Sequence, residues 1–381
     1  LVFAKHFNAH LVLFSSTLVS EWNSYLIGVP NIPSYLPNSF SGYTTSMTFF
    51  ERFRNTIALW YDWYYRMAVK LPAHQALVDK YFPKKYLLED HLYNASLMLT
   101  CSHISTTETV PLPKSVIEVG GLHVRPPKLL PETVQRFLDS ADNGAIYFSL
   151  GSNIRSSDLS NKTINDILMV FANLNQKILW KFEDERLKNK PKNLFLAKWF
   201  PQSDILGHPN VIAFISHCGF GSTTEAIFHG VPVIGIPIYG DQFMNLRKLI
   251  SFGMAIELPY KQLSGQTLNS TINIILKESR YIENARKRST ITKDRPLTPL
   301  QEAVFWIEYV LRHNGAHHLK NSILNLYWFQ LYILDIVISI LVVLIMIFYV
   351  LTRLLKSIFN RRSSICTQLE KKQKTKNHNV V

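Results

Sequence analysis

From residue 145 to residue 252 the chain alternates between short runs rich in β-branched and aromatic residues and longer amphipathic stretches. The runs at 145–151, 177–182, 194–198, 211–216 and 231–236 read as buried strands, and the stretches at about 158–175, 203–207, 222–229 and 242–252 read as helices. Such alternation predicts a parallel, doubly wound α/β sheet, because each return to a parallel neighbour needs a crossover helix. In these sheets ligands sit beyond the carboxyl ends of the strands, so function is to be sought in the loops that follow them.

Upstream, residues 10–17 read as a strand followed by a loop through Gly28, Pro30, Pro33 and Pro37. A helix from about Thr48 to Lys70 carries Phe49, Phe50, Phe53, Ile57, Trp60, Tyr61 and Tyr64 near helical spacing. Core packing is the expected use of these rings, with a pocket for a flat apolar ligand as the alternative. Residues 94–101 and 115–119 look like further strands, and Arg-Pro-Pro-Lys-Leu-Leu-Pro at 125–131 opens an interdomain linker. The expected organisation is a partial first α/β domain (1–124), a linker (125–142), a second domain with its returning helices (143–320), a transmembrane helix (327–351) and a basic tail (352–381). Three cysteines, Cys101, Cys218 and Cys366, make neither a disulfide framework nor a metal-ligand spacing.

Lys and Arg total 41 against 27 Asp and Glu, a formal net charge of +14. Spread over one face, that excess would suggest nucleic acid. Its distribution excludes this: residues 352–381 hold eight basic residues against Glu370 alone, a net +7, half of the whole excess. Immediately before them, Trp328 to Val350 form a run of 23 residues interrupted only by Gln330, Asp335 and Ser339. At ~1.5 Å per residue this run spans about 34 Å, against about 30 Å for a bilayer core. Asp335 is expected near one interface, Trp328, Phe329 and Tyr332 in its aromatic belt, and the basic tail in the cytoplasm. The alternative is a buried core helix with a basic tail, which the length and uniform apolarity disfavour. The body is then expected in the lumen, where sequons at Asn94, Asn161 and Asn269 are compatible. The sequence opens on Leu1-Val2-Phe3 without Met or signal peptide, so it is expected to be part of a longer chain.

Four loops at strand ends are chemically unusual. Ser149-Leu-Gly-Ser152 leaves backbone N–H groups free for phosphate oxygens, although Gly-Ser is also ordinary turn chemistry. Lys198-Trp-Phe-Pro-Gln202 presents Trp199, which could stack on a flat base or cap the core. Ser216-His-Cys-Gly-Phe-Gly-Ser-Thr-Thr-Glu225 runs from a strand into a helix. There Gly219 and Gly221 allow tight backbone, and Ser222 with the first helical N–H groups makes an anion site. His217 can donate to a phosphate oxygen and Glu225 can accept from a ribose hydroxyl; a core histidine and a Ser222/Glu225 capping box are the plainer readings. Finally, Asp241 and Gln242 could clamp the vicinal hydroxyls of a sugar, or Asp241 could simply cap a helix. Four such loops on one sheet edge favour a nucleotide-sugar site.

The block Phe200-Pro-Gln-Ser-Asp-Ile-Leu-Gly-His-Pro209, Ser216-His-Cys-Gly219, Ser222-Thr-Thr-Glu-Ala226, His229-Gly-Val-Pro-Val-Ile-Gly-Ile-Pro237 and Asp241-Gln242 resembles the signature of the animal UDP-glycosyltransferases. Gly221-Ser-Thr-Thr-Glu225 is closest to the insect branch, and Glu118-Val-Gly-Gly-Leu-His123, Phe148-Ser-Leu-Gly-Ser152 and Ala303-Val-Phe-Trp-Ile-Glu308 extend the likeness over nearly the whole chain.

The resemblance implies a GT-B fold, two doubly wound domains facing a cleft, that moves glucose or glucuronic acid from a UDP-sugar to a hydroxyl of a small lipophilic acceptor with inversion. By position, Trp199 would stack on uracil, Gln202 would contact base or ribose, and Glu225 would hold the ribose hydroxyls. Ser152, His217, Gly219 and the backbone at Gly221 and Ser222 would hold the diphosphate, and Asp241 with Gln242 the sugar. No cofactor or metal is implied, the leaving-group charge falling to a helix N-terminus and His217. Gly221 replaces an asparagine of many relatives and leaves a backbone contact only. The catalytic histidine and its aspartate partner are expected upstream of Leu1, and His6 and His10 do not replace them. A UDP-binding partner subunit of full-length relatives is therefore the alternative to an enzyme. Residence in the endoplasmic reticulum membrane and a role in detoxification follow from the resemblance alone, and homo- or hetero-oligomers are compatible with it.

Overall fold

A computed structural model describes residues 1–378 apart from 83, 185, 186, 188 and 189, with side chains through Arg362. Lys371, Lys372, Lys374 and Lys376 of the tail, and Cys366, thus lie outside the described side chains. The chain divides into one compact unit, Leu1–Asn321, and a second, Ser322–Val381.

The larger unit holds two all-parallel sheets. The first is ordered β1 (Val12–Ser15), β2 (Leu97–Thr100), β3 (Val116–Glu118). The second contains β4 (Ala145–Ser149), β5 (Lys177–Lys181), β6 (Leu194–Ala197), β7 (Val211–Ser216), β8 (Val233–Gly235) and β9 (Ala255–Glu257), in the order β6-β5-β4-β7-β8-β9. All five β4 residues are buried, as a strand covered on both faces requires. On one face lie α4 (Glu132–Asp139), α6 (Gln202–Leu206), α7 (Phe220–His229), α8 (Gln242–Ser251) and α10 (Arg280–Lys293), whose Leu138, Ile205, Ile227, Leu246 and Ala285 share one apolar cluster. On the other face α5 (Asn161–Ala172) and α9 (Gly265–Lys277) bring Ile167, Phe171, Leu268 and Ile272 against Ile146, Phe148 and Trp180. The strand order reverses between β4 and β7, and this switch point fixes where a crevice opens at the carboxyl end of the sheet.

α11 (Pro299–Arg312) returns to the first sheet, where Ala303 and Val310 pack with Leu97, Leu99, Ile117 and Val119. A hydrogen bond from Thr292 to the hydroxyl of Ser105, 2.7 Å, also ties α10 to a loop of the first sheet.

Three expectations are corrected. Residues 125–142 are not linker throughout. After Pro131 they form α4, whose Val134 and Leu138, four residues apart, are buried, so the extended connection ends at residue 131. That connection is pinned by the Lys128 N–H donating to Asp204 at 2.9 Å.

The aromatic helix is α2 (Phe49–Tyr65), which runs on through a π-helical segment, Arg66–Lys70, into α3 (Leu71–Tyr81). Its rings neither enter the core nor line a pocket: Phe49, Phe50, Trp60 and Tyr61 are 65%, 72%, 67% and 64% exposed. Its buried residues are Asn55 and Leu59, so the inward stripe is partly polar instead. Buried Asn55 donates to the carbonyls of Pro33 and Leu36, both 2.9 Å, and accepts from the Asn38 N–H at 2.7 Å. Asp62 accepts from the Asn38 amide, and the Arg66 guanidinium lies 4.5 Å from the Tyr25 ring centroid and 5.3 Å from that of Trp22. Turns within the proline-rich loop satisfy several of its N–H groups, and this helix supplies partners for the Asn38 N–H and the Pro33 and Leu36 carbonyls.

Finally, the apolar run is not one helix. A short turn, α12 (Trp328–Leu331), is followed by Ile333 with φ of 51°, and the long helix α13 (Leu334–His378) starts there. A β-branched residue in the left-handed region breaks the helical path, so Trp328, Phe329 and Tyr332 precede the long helix rather than riding on it. Asp335 falls in the first turn of α13, where a helix N-terminus favours negative charge. The strand read at residues 10–17 is β1, whereas α1 (Val2–His6) and β9 are elements that the sequence reading did not include.

Leu138 is fully buried, whereas Leu129 in the adjoining extended connection is 93% exposed. Leu138→Ala is expected to cost about 2–5 kcal/mol of unfolding free energy. Leu129→Ala is expected to stay within about 0.5 kcal/mol. Urea unfolding followed by circular dichroism in detergent measures both, and equal effects would return residues 132–139 to the linker.

Candidate functional site

β4 ends in a turn where the Ser149 hydroxyl accepts from the Gly151 N–H at 3.2 Å. Gly151 has φ of +86°, and a Cβ on it would lie 2.4 Å from the imidazole of His217, which follows β7. A Cβ on Gly219 would lie 2.5 Å from Nε2 of the same ring. The imidazole is thus wedged between two backbone segments across the switch point, and only glycine fits at either place. Burial, reinforced by the positive charge of Lys181 and opposed by Asp241, lowers the His217 pKa to about 4. His217 is therefore neutral near pH 7, and its buried Nδ1 has no hydrogen-bond partner among the described residues. That nitrogen is suited to meet a ligand oxygen.

Cys218, with φ of 62°, turns the chain into α7. Its backbone strain is held by neighbours: the Cys218 N–H donates to the Ser216 hydroxyl at 3.1 Å, and its carbonyl accepts from buried Asn245 at 3.1 Å. Asn245 also donates to Asp241 at 2.8 Å, so one amide links the loop before α7 to the residue preceding α8. α7 begins after Gly219, which offers no side-chain cap, and its first N–H groups remain available to an anion. Ser222 is not the cap of this helix, so the expected Ser222/Glu225 capping box is absent. Both side chains turn instead to Gln202, whose amide donates to Ser222 at 3.0 Å and to the Glu225 carboxylate at 2.5 Å. Burial pushes the Glu225 pKa up, while the Gln202 hydrogen bond and His123 pull it down.

Trp199, after β6, leaves its ring 70% exposed, with the Lys181 ammonium 6.0 Å from its centroid. Ser152 is exposed in the turn beyond Gly151, and Gly221 lies in the first turn of α7. Asp241 precedes α8, and Gln242 begins it. The Gln242 side-chain carbonyl already accepts from the N–H groups of Ile238 and Tyr239 at 2.7 and 3.1 Å, so only its amide hydrogens remain for a ligand.

Gln202, Ser222 and Glu225 therefore form one contact cluster, His217 with the backbone at Gly151 and Gly219 a second, and Asp241 faces His217 electrostatically. Three residues escaped the sequence reading. Asn245 was signalled only by its position four residues after Asp241 on one helix. Lys181, buried and paired with Glu183 at 2.7 Å, lies at the end of β5, one of the strand ends where ligands are expected. His123, whose Nε2 is 3.9 Å from where a Gly221 Cβ would stand, comes from the far side of the connection. No local pattern could have placed it over α7.

The family described as UDP-glucoronosyl and UDP-glucosyl transferase matches residues 1–372. The chain belongs to this family. UDP-glucosyltransferase 2 of Dactylopius coccus is 37% identical over 342 residues, covering 89% of this chain and 66% of that protein. UDP-glucuronosyltransferase 2B15 of Rattus norvegicus is 35% identical over 314 residues, 82% of this chain and 59% of that protein. The chain thus spans about two thirds or less of the length of these relatives. Among solved structures, the glycotransferase of kitacinnamycin superposes with a TM-score of 0.55 at 15% identity, over 81% of this chain and 72% of that one. The calicheamicin glycosyltransferase gives 0.52 at 16%, over 82% and 70%. Identity this low speaks to fold alone, and the fold of this UDP-glycosyltransferase family member is GT-B.

The folded-state pKa of His217, about 4, lies below the ~6.5 of an unfolded histidine, so unfolding takes up a proton between those values. Its share of stability is complete above pH ~6.5 and is lost as pH falls toward 4. Urea midpoints at pH 7 and pH 5 are expected to fall less in His217→Gln than in the unsubstituted chain, since His103 and His229, also lowered to about 4, are common to both. Parallel drops would show that His217 is not held neutral.

Proposed function

We propose that the crevice at the β4–β7 switch point binds a UDP-sugar and presents its anomeric carbon to a hydroxyl of a small lipophilic acceptor. The Gln202–Ser222–Glu225 cluster beside the uncapped start of α7 carries this reading. It puts a carboxylate for vicinal ribose hydroxyls next to N–H groups suited to a diphosphate. Trp199 supplies a ring face for uracil, Ser152 and His217 a hydroxyl and an imidazole for phosphate oxygens, and Asp241 with the Gln242 amide hydrogens a clamp for glucose or glucuronic acid. Another solved neighbour, the glycosyltransferase VinC, with a TM-score of 0.50 at 17% identity, is in complex with dTDP, a nucleoside diphosphate of related shape.

In the proposed reaction the acceptor oxygen forms a bond to the anomeric carbon from the face opposite the leaving group, inverting that centre. The bond from this carbon to the β-phosphate oxygen breaks, and its electron pair leaves on UDP. The α7 N-terminus and His217 stabilise that charge without a metal. The hydroxyl proton passes to a general base beside the acceptor. Apolar walls in the cleft between the two sheets suit a lipophilic acceptor.

Trp199→Ala is expected to weaken UDP binding about 5- to 150-fold, the range of one base-stacking contact. Glu225→Ala is expected to erase the preference for UDP over 2′-deoxy-UDP. Calorimetric titration decides both; unchanged affinity in the Trp199→Ala, Glu225→Ala double variant would sink the site.

We propose further that α13 anchors the chain in the endoplasmic reticulum membrane, body in the lumen and basic end in the cytoplasm. Within Leu334–Arg362 the most apolar stretch of 18 residues has a mean hydropathy of 3.0 and none of it is buried, and Arg353, Lys356, Arg361 and Arg362 gather at the distal end. Alkaline extraction of microsomes should leave the full chain in the membrane pellet, and added protease should remove only the tail. Release into the supernatant, or protection of the tail, would refute anchor or orientation respectively.

A further inference from the structure

Between the two sheets lies an open cleft of mixed lining: Leu18, Leu36, Leu112 and Met244 give it apolar wall, and Ser102, Glu108, Glu118 and Lys248 give it polar and charged groups. It is distinct from the nucleotide cluster, although α8 joins the two. Asp241 precedes that helix, and Lys248, seven residues on, lines the cleft. Lys248 is only 5% exposed, yet its ammonium makes no hydrogen bond or ion pair with any described residue. Glu108, also lining the cleft, spends one carboxylate oxygen on the Thr45 N–H at 2.7 Å and reaches Lys248 only through its field. A second donor on the wall, the buried Ser102 hydroxyl, likewise has no partner.

Burying an unpaired ammonium costs several kcal/mol, and a methionine or leucine of similar volume would fill the same place without that penalty. A lysine kept beside the apolar part of this lining is what recognition of an anionic group on an otherwise apolar molecule requires. Burial lowers its pKa to about 8 against the opposing fields of Glu108 and Asp241, so it remains charged at pH 7.

We infer that Lys248 is a specificity residue that selects acceptors bearing a carboxylate, its ammonium pairing with that group while the apolar walls hold the ring system. This rests on the cleft being the acceptor side of the proposed transferase. The alternative source of a carboxylate is the sugar of UDP-glucuronate, and the ratio of donor affinities measured below separates the two.

The test uses the full chain in detergent with two probes of one shape, 2-naphthoate and neutral 2-naphthol, by equilibrium binding at pH 7. The unsubstituted protein is expected to prefer the naphthoate by roughly 10- to 100-fold, the range of a hydrogen bond to a charged group. Lys248→Met should abolish that preference, Lys248→Arg should keep most of it, and Glu108→Gln should strengthen naphthoate binding. Thermal stability of Lys248→Met should be unchanged or higher, which a structural ion pair with Glu108 would not allow. UDP titration of each variant reports separately on the nucleotide site, so its failure would count against the proposed function and not against this lysine. Equal binding of the two probes by the unsubstituted protein, or a naphthoate preference that survives Lys248→Met, would overturn the inference. A change instead in the ratio of UDP-glucuronate to UDP-glucose affinity would move the lysine to the donor.

Discussion

The second sheet's functional edge depends on one steric fact: an imidazole occupies the space that two side chains would otherwise need. His217 lies where Cβ atoms on Gly151 and Gly219 would intrude to within 2.4 and 2.5 Å. The loop after β4 and the loop before α7 are thereby locked against a common ring. The lock sets the direction of α7, whose first N–H groups form the anion-binding end, and it forces Cys218 into a left-handed conformation that Asn245 secures from α8. Asn245 then fixes Asp241. The proposed diphosphate site and sugar clamp are thus mechanically one object, and substitutions that loosen the ring would disturb both.

Polar side chains do comparable work in the first half of the larger unit, which has only three short strands. Asn55, Asp62 and Arg66 hold the proline-rich loop, and the aromatic residues that would normally build a core stand outside. Sequence periodicity finds the helix correctly but assigns its faces by hydrophobicity, and here the demand of the loop for hydrogen bonds outweighs that rule. The same rule succeeds for β4, β5 and β7, because parallel strands covered on both sides have no polar face to mislead it.

Legibility therefore follows locality. Gly219, His217 and the α7 start are contiguous in sequence, and a strand-to-helix junction can be read as an anion site without coordinates. The pairing of Gln202 with Ser222 and Glu225 spans about one full β-α repeat, and only the resemblance joined them in one ligand. His123, Lys181 and Asn245 reach the site from other elements, and Lys248 becomes conspicuous only when its burial and missing partner are known. α4 was hidden because the prolines before it suggested that the whole segment was extended, and two buried residues on eight are a weak periodic signal. The break at Ile333 has no signal at all in a run of apolar residues.

The electrostatics of the nucleotide edge show why a neutral histidine belongs there. His217 feels Lys181 from one side and Asp241 from the other, and with those fields opposed, burial keeps it uncharged. An anion entering beside the α7 N-terminus adds to the Asp241 field alone, so it raises the pKa of the imidazole as it binds. In the proposed transfer the rise would continue as negative charge accumulates on the departing phosphate oxygen, favouring a proton on the ring at the bond-breaking stage. A histidine already cationic would hold substrate and leaving group with similar strength and gain little between them. Under the proposed function, depressing its resting pKa would reserve part of the stabilisation for the bond-breaking step, and the two glycines that allow the ring to be buried are what would make that possible.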